Sequence, residues 1–337
     1  MRRPLLVALH DGTPLPHSER VEALADVRHV GEDNLAAALP GTDVLLVGGA
    51  GFTRIASAWP DTARAPRWVH VAATGVEHVL FDALVRDPGL VLTNSRGIYD
   101  EAIAEYVLGL ILALAKDLPA TLAHQRRREW RWRESERIGG RAALVVGTGP
   151  IGRAIARQLR AAGLRVRGAG RTGRSGDPDF GTVYGGGELP AALAEADYVV
   201  LAAPLTPQTR GMIDERALRA MKPTARLVNV GRGGLVVQDA LVDALRHGRL
   251  AGAALDVFEG EPLPGDSPLW DLPGVIVSPH MAGDVHGWRE AQAELFLDNL
   301  SRYLAGRPLR NVVDKARGYV PQGSVGRTAV TRYTGLR

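Results

Sequence analysis

A short apolar stretch, Ala142 to Val146, runs directly into Gly147-Thr148-Gly149-Pro150-Ile151-Gly152, and a helical pattern follows from Arg153 to Ala162 before Gly163 closes it. Few local patterns constrain a fold more. Strand, glycine turn and helix in that order form a phosphate cradle. Gly147 permits the tight turn, Gly149 lets the backbone approach a pyrophosphate, and Gly152 lets the helix pack closely on the strand. The helix N-terminus adds unpaired N–H groups and positive potential. The run lies near the middle of 337 residues, so a folded unit has to precede it. A chain of this length can bury two sizeable cores.

Both halves alternate strand with helix. Leu5 to Leu9, Val44 to Val47, Trp68 to Val71 and Val91 to Thr93 look like short buried parallel strands, with helical patterns at Ser18 to Ala25 and Asn34 to Leu39. A second series starts at Ala142. Its further strands are expected at Val166 to Ala169, Tyr198 to Ala202, Leu227 to Val230, Ala253 to Val257 and Val275 to Val277. Its helices are expected at Leu189 to Ala194, Glu215 to Ala220 and Gln238 to Arg246. Such alternation predicts an α/β protein with two doubly wound parallel-sheet domains, each sheet covered on both faces. Longer helical patterns at Ala102 to Leu118 and Trp288 to Leu304 look like crossings between domains. The expected division is therefore a discontinuous substrate domain, residues 1–100 plus 287–317, and a dinucleotide-binding domain, 101–286. The cleft between them is the expected active site. Residues 318–337 lack acids and periodicity and are expected to form a flexible tail.

Composition excludes several chemistries. There are no cysteines, which rules out disulfides, thiolate metal sites and cysteine nucleophiles, and suits a reducing cytoplasm. No metal site is expected. The net charge of +4 comes from arginine, since lysine occurs only at positions 116, 222 and 315. Arg126-Arg127-Arg128 could contact nucleic acid or form a solvated helix face. The spread of arginines and the interleaved acids favour the second, so no nucleic-acid partner is expected. Pro4 to Leu9 is too short for a secretory signal. Ala102 to Ala115 is too short for a bilayer span and carries Glu105. No membrane partner is expected, and the cytoplasm is the expected location.

In NAD-specific sites an Asp or Glu at the end of the second strand bonds the ribose hydroxyls. Here Gly168-Ala169-Gly170-Arg171-Thr172 occupies that place. Gly170 removes a carboxylate that would repel a 2′-phosphate. Arg171 can bind that phosphate bidentately, Thr172 can donate a hydroxyl, and Arg174 can assist. NADP is therefore the expected cofactor, with NAD possible. Three more residues follow strand ends: Arg232 in Asn229 to Gly234, Glu261 in Leu255 to Pro262, and His280 in Ser278 to Gly283. Ligands of doubly wound sheets bind outside the carboxyl ends of the strands. Each residue alone has an ordinary structural explanation. Together they put a guanidinium, a carboxylate and an imidazole along one sheet edge.

With these motifs, the chain from about Asp43 to Val313 resembles the NAD(P)-dependent D-2-hydroxyacid dehydrogenases. The resemblance rests on the glycine run, Ala203 to Arg210, Asn229 to Gly234, Ala254 to Pro262 and Ser278 to Gly283. Upstream it rests on Thr74-Gly75-Val76-Glu77 and on Asn94 to Gly97 through Ala104-Glu105-Tyr106. It implies a Rossmann-type cofactor domain inserted in a discontinuous flavodoxin-like substrate domain. It also implies a catalytic trio of Arg232, Glu261 and His280. Arg232 would bind the 2-keto acid, His280 would give the carbonyl oxygen its proton, and Glu261 would favour the imidazolium. Ala73, Thr74, Gly75 and Val76 would hold the substrate carboxylate. Pro150 and Ile151 would lie along the pyrophosphate, and Ala203, Pro204 and Thr209 on the adenosine side. Val230, Gly231, Arg232, Asp256, His280 and Gly283 would lie towards the nicotinamide. Asp256 has a second reading as a structural acid at a strand end.

Departures from related patterns narrow the substrate. Phosphoglycerate dehydrogenases carry an Arg after the second early strand where this chain has Gly48-Gly49-Ala50-Gly51, and formate dehydrogenases carry a glutamine where Glu261 stands. A compact 2-keto acid such as glyoxylate or hydroxypyruvate is expected. Arg96 has two readings, a contact to an extra substrate anion or a surface residue. Trp130 and Trp132, among the arginines of His124 to Arg133, read either as the anchor of a homodimer, reaching the partner's substrate pocket, or as packing within the chain. The alternative function is an NAD(P)-sensing, corepressor-like binding protein with little turnover.

Overall fold

The computed structural model describes residues 2–48, 52–61 and 64–321. The expectation for Gly49-Ala50-Gly51 lies outside the described residues, as does all of the flexible tail expected over 318–337 except its first four residues. The chain divides into two compact units, Met1–Ile98 with His286–Arg337, and Tyr99–Val285.

The first unit contains β1 (Leu5–Leu9), α1 (Ser18–Leu24), β2 (Asp26–Val30), α2 (Leu35–Ala38), β3 (Val44–Val47), β4 (Trp68–Val71), α3 (Asp82–Arg86) and β5 (Val91–Asn94). Its sheet is parallel with order β2-β1-β3-β4-β5, the flavodoxin-like arrangement. β3, β4 and β5 are buried at every residue, as strands covered on both faces require. The last helix of the chain, α10 (Trp288–Leu304), belongs to this unit. It stacks Phe296 on Trp68 with ring centroids 5.4 Å apart and buries Leu300 and Tyr303 beside them. β2 was not expected from the sequence. Its Asp-Val-Arg-His-Val run is half exposed because it is an edge strand, and it lacks the apolar signal of its neighbours.

The second unit opens with α4 (Asp100–Ala115) and α5 (Leu118–Arg127). It continues with β6 (Ala142–Val146), α6 (Pro150–Ala161), β7 (Arg165–Ala169), β8 (Arg174–Asp177), β9 (Gly181–Tyr184), α7 (Leu189–Glu195) and β10 (Tyr198–Leu201). α8 (Glu215–Ala220), β11 (Arg226–Asn229), α9 (Gln238–Arg246), β12 (Gly252–Leu255) and β13 (Val275–Val277) complete it. The sheet order is β13-β12-β11-β10-β6-β7-β9-β8. Every pairing is parallel except that of β8 with β9. The strand order reverses at β6, whose neighbours are β10 and β7, and such a switch point opens a crevice at the carboxyl ends. Two apolar clusters cover the sheet, one holding Leu144, Leu201 and Leu241, the other Val107, Ile155 and Leu159. α6 starts at Pro150, three residues before the apolar periodicity, because proline is well suited to a first helical turn. α4 is apolar because it is buried: Ile103, Val107, Leu110, Ile111 and Leu114 all face the core. No single helix among the described residues is long and apolar enough to cross a membrane.

Candidate active site

The three glycines of the turn have different reasons to be glycine. Gly147 has φ +112°, and a Cβ there would lie 2.6 Å from the Ala202 and Ala203 backbone. A Cβ on Gly152 would lie 1.8 Å from the Gly147 carbonyl oxygen. The protein's own packing demands both. Gly149 is ordinary backbone, φ −75°, and a Cβ there would meet nothing within 4 Å. It caps α6, where free N–H groups point outward. An open face at that position fits a pyrophosphate that approaches the backbone closely. Pro150 and Ile151 are half-buried in the first turn beside it.

Beyond β7 the chain leaves the sheet at Gly170, whose N–H donates to the Tyr184 carbonyl at 2.9 Å. A Cβ on Gly170 would sit 3.1 Å from Thr148 Oγ1, so this loop borders the glycine turn. Arg171 and Thr172 are exposed there. Arg174 departs from expectation. Its Nε donates to Asp177 Oδ2 at 2.8 Å, so its charge is already paired. Ala203 is buried, and its carbonyl oxygen would lie 3.1 Å from a Cβ on Gly231. Pro204 is exposed and Val230 is buried at the ends of β10 and β11. The Thr209 hydroxyl donates to the Pro204 carbonyl at 2.7 Å and closes that turn itself. Gly283 faces Tyr99, where a Cβ would lie 2.7 Å from Cδ1.

The trio gathers on three adjacent strands. Arg232 follows β11, Glu261 follows β12 and His280 follows β13. Asn229 fixes the first turn: its Oδ1 accepts from the Gly231 N–H at 3.1 Å and its Nδ2 donates to the Arg232 carbonyl at 3.0 Å. Gly233 presses this turn onto the next, since a Cβ there would meet the Phe258 carbonyl carbon at 1.8 Å. Glu261 Oε1 accepts from the Phe258 N–H at 3.0 Å, and Oε2 lies 2.7 Å from His280 Nδ1. Nε2 is thereby the imidazole nitrogen left to face a reactant.

The charges are coupled. The bond to Glu261 raises the His280 pKa above its ordinary value, against burial and the Arg232 charge, which lower it. Burial pushes Glu261 upward, but the bonds from His280 and the Phe258 N–H outweigh it and hold the carboxyl below the usual range. His280 itself sits in the left-handed region, φ 53°, with its N–H donating to the Asp256 carbonyl at 2.8 Å. Asp256 explains how. Its buried carboxylate accepts from Ser278 Oγ at 2.7 Å, Met281 N–H at 3.0 Å and Ala282 N–H at 2.9 Å. Both oxygens therefore hold the His280 loop, which supports the structural reading of this residue. Asn229, Ser278 and the nearby Asp284, whose carboxyl burial raises, were not singled out from sequence. Asn229 and Ser278 did stand inside the quoted motifs.

In the first unit, Ala73 to Val76 follow β4 as a loop. Thr74 and Ala73 give their carbonyls to Asn94 Nδ2 at 2.6 Å and to the Ser95 N–H at 3.0 Å. Thr74 Oγ1 is buried without a hydrogen-bond partner among the described residues. Arg96 Nη1 donates to the Val320 and Pro321 carbonyls at 3.0 and 3.2 Å, which ties down the chain after β5.

The model of the D-isomer specific 2-hydroxyacid dehydrogenase NAD binding domain matches residues 108–282. The chain belongs to the D-isomer specific 2-hydroxyacid dehydrogenase family. Among its relatives, a glyoxylate reductase of Thermococcus gammatolerans is 37% identical over 76% of this chain and 78% of its own. A D-isomer specific 2-hydroxyacid dehydrogenase from Xanthobacter autotrophicus, solved with NADPH and MES, superposes with a TM-score of 0.80 at 30% identity, over 94% of this chain and 100% of that one. An NADPH-dependent glyoxylate/hydroxypyruvate reductase from Sinorhizobium meliloti, solved with NADP and sulfate, gives 0.76 at 29% identity, over 94% and 100%. Membership makes this protein an oxidoreductase with a nicotinamide-nucleotide domain of Rossmann type.

Proposed function

We propose that this 2-hydroxyacid dehydrogenase reduces a small 2-keto acid, glyoxylate or hydroxypyruvate, to the D-2-hydroxy acid and prefers NADPH. The observation that carries the reading is the 2.7 Å contact of His280 with Glu261, on the same sheet edge as Arg232. When bound, the nicotinamide supplies the hydride. Arg232 binds the carboxylate and carbonyl of the keto acid and stabilises the charge that grows on the carbonyl oxygen. His280, kept protonated by Glu261, gives that oxygen its proton from Nε2. In the reverse direction the same nitrogen takes the proton.

NADPH preference is supported by Gly170, which puts no carboxylate beside the ribose, and by Arg171 and Thr172 exposed next to it. The NADPH-dependent relative and the NADPH-bound neighbour carry the same sense. We further propose a cytoplasmic homodimer. Trp130 and Trp132 are 102% and 81% exposed, a large apolar area for an isolated chain to leave in water.

Purified protein should oxidise NADPH with glyoxylate or hydroxypyruvate. Cofactor binding with no turnover across a keto-acid panel would favour the nucleotide-sensing alternative. Arg171→Ala should raise KM for NADPH about tenfold and leave that for NADH within about twofold. Equal changes would remove Arg171 from the recognition of the 2′-phosphate.

A further inference from the structure

The loop Gly170 to Gly173 is clamped at both ends. On one side, the Gly170 N–H is bonded to Tyr184, and Gly173 packs so closely that a Cβ would lie 3.2 Å from the Gly185 nitrogen and Glu188 Oε2. On the other side stands Asp177, at the end of β8, its side chain 3% exposed. Arg153 grips this carboxylate with two nitrogens, Nη1 to Oδ1 at 3.0 Å and Nη2 to Oδ2 at 2.9 Å. Arg174 Nε donates to Oδ2 at 2.8 Å, and the N–H groups of Asp179 and Phe180 donate to Oδ1 at 3.1 and 3.3 Å. Arg153 also bonds Asp179 at 2.6 Å and lies over the Phe180 ring, 5.5 Å from its centroid.

The placement of these groups matters more than their number. Arg153 is the residue after Gly152, in the first turn of the helix whose N-terminus would take the pyrophosphate. Arg174 is the residue after Gly173, where the 2′-phosphate loop ends. One buried carboxylate therefore bonds both. It joins the element that fixes the pyrophosphate to the loop that would read the adenosine ribose. Five donors around two oxygens leave Asp177 little freedom, and a buried hydrogen-bonded network fixes geometry more than an exposed pair does.

We propose that Asp177 is a positioning residue for cofactor choice: it holds Arg171 and Thr172 at a set distance from the glycine turn, and so sets the preference for a 2′-phosphorylated nucleotide. The proposal rests on the NADPH reading above. Arg174, in this arrangement, acts through Asp177 and does not bind phosphate itself.

The test is calorimetric, with adenosine 2′,5′-bisphosphate and adenosine 5′-monophosphate as ligands of the whole protein, so that no turnover is needed. Wild type should bind the bisphosphate more tightly by about tenfold or more. Asp177→Asn should lower that ratio at least about fivefold, while 5′-monophosphate affinity changes by less than about twofold. Asp177→Glu keeps the charge and shifts the carboxylate by one carbon; it should lower the ratio in the same sense, and it serves if the Asn variant does not fold. A ratio that is unchanged in a folded variant overturns the proposal. So does a ratio that rises, because Asp177 would then only be restraining the Arg174 charge. If wild type itself fails to discriminate, the NADPH reading falls and this inference with it. If wild type and Asp177→Glu discriminate equally and Arg171→Ala does not, only the inference falls.

Discussion

Two acid–base pairs in the same unit have opposite characters. His280–Glu261 is short, 2.7 Å, yet its side chains are 41% and 35% exposed. Arg153–Asp177 is of similar length, 2.9 Å, with side chains 22% and 3% exposed. The first pair contains a group whose ordinary pKa lies near neutrality, and its bond to Glu261, foremost, raises it. The second contains a guanidinium that does not titrate and a carboxyl that its bond to Arg153, foremost, holds far below the usual range. Openness and one partner make a proton available. Burial and several partners make a position permanent. In the proposed reading, the same two kinds of group, a base and a carboxylate, serve for chemistry in one place and for geometry in the other.

If that contrast holds, the largest effect belongs to the open pair and is kinetic. His280→Ala should cut kcat for keto-acid reduction by about 10³-fold while leaving NADPH affinity within about threefold, read by stopped-flow turnover and fluorescence titration. A variant with near wild-type turnover would remove His280 from the chemistry. Next in size, Asp177→Ala should reduce unfolding free energy by about 3 kcal/mol in a denaturant titration at neutral pH, since it removes the buried carboxylate that five donors share and leaves Arg153 only Asp179. A negligible loss would mean that the clamp relaxes into water.

Glu261→Gln comes third. It removes the partner that raises His280, so the alkaline fall of the reduction rate should move to lower pH, and turnover at neutral pH should drop about tenfold. An unmoved pH profile would separate Glu261 from the imidazole. The smallest effect is the stability of the open pair itself, below about 1 kcal/mol because water screens it. His280 is raised, so its share is present at low pH and is lost as pH rises through the folded value. Glu261 is lowered, so its share is lost as pH falls through the folded value. Unfolding of His280→Gln should therefore match wild type within that margin at every pH between the two.

The sequence carried those parts of the molecule that announce themselves by burial. β1, β3 and β6 fall where continuous apolar runs put them, because a strand covered on both faces is apolar throughout; β4, which includes His70, and the half-buried edge strand β13 also fall where expected. The glycine turn and the three strand-end motifs were visible for a related reason: each needs particular residues in consecutive places. What escaped is what a linear pattern cannot hold. The β8–β9 hairpin spells Arg-Ser-Gly-Asp-Pro-Asp-Phe-Gly-Thr-Val-Tyr, which has the glycine, proline and aspartate of a loop and no alternation. Arg153 and Asp177 are 24 residues apart, so nothing local suggested that they meet, and Arg174 looked available for phosphate because its partner was unseen. Asp256 reads from sequence first as a cofactor contact and second as a strand-end acid, and its three donors, distant in sequence, support the second.

The strand order of the second unit also acts as a ruler. Between β7, which carries the adenosine-phosphate loop, and β13, which carries the imidazole, lie five intervals of the sheet, each about 4.8 Å. That is on the order of 24 Å of spacing between the end proposed to select a nucleotide and the end proposed to move a proton. Residues so far apart and without shared partners respond to substitution independently. In the proposed reading, nucleotide choice is then a trait that can be retuned at the β7 end of this span while the reaction at the β13 end goes on unaltered.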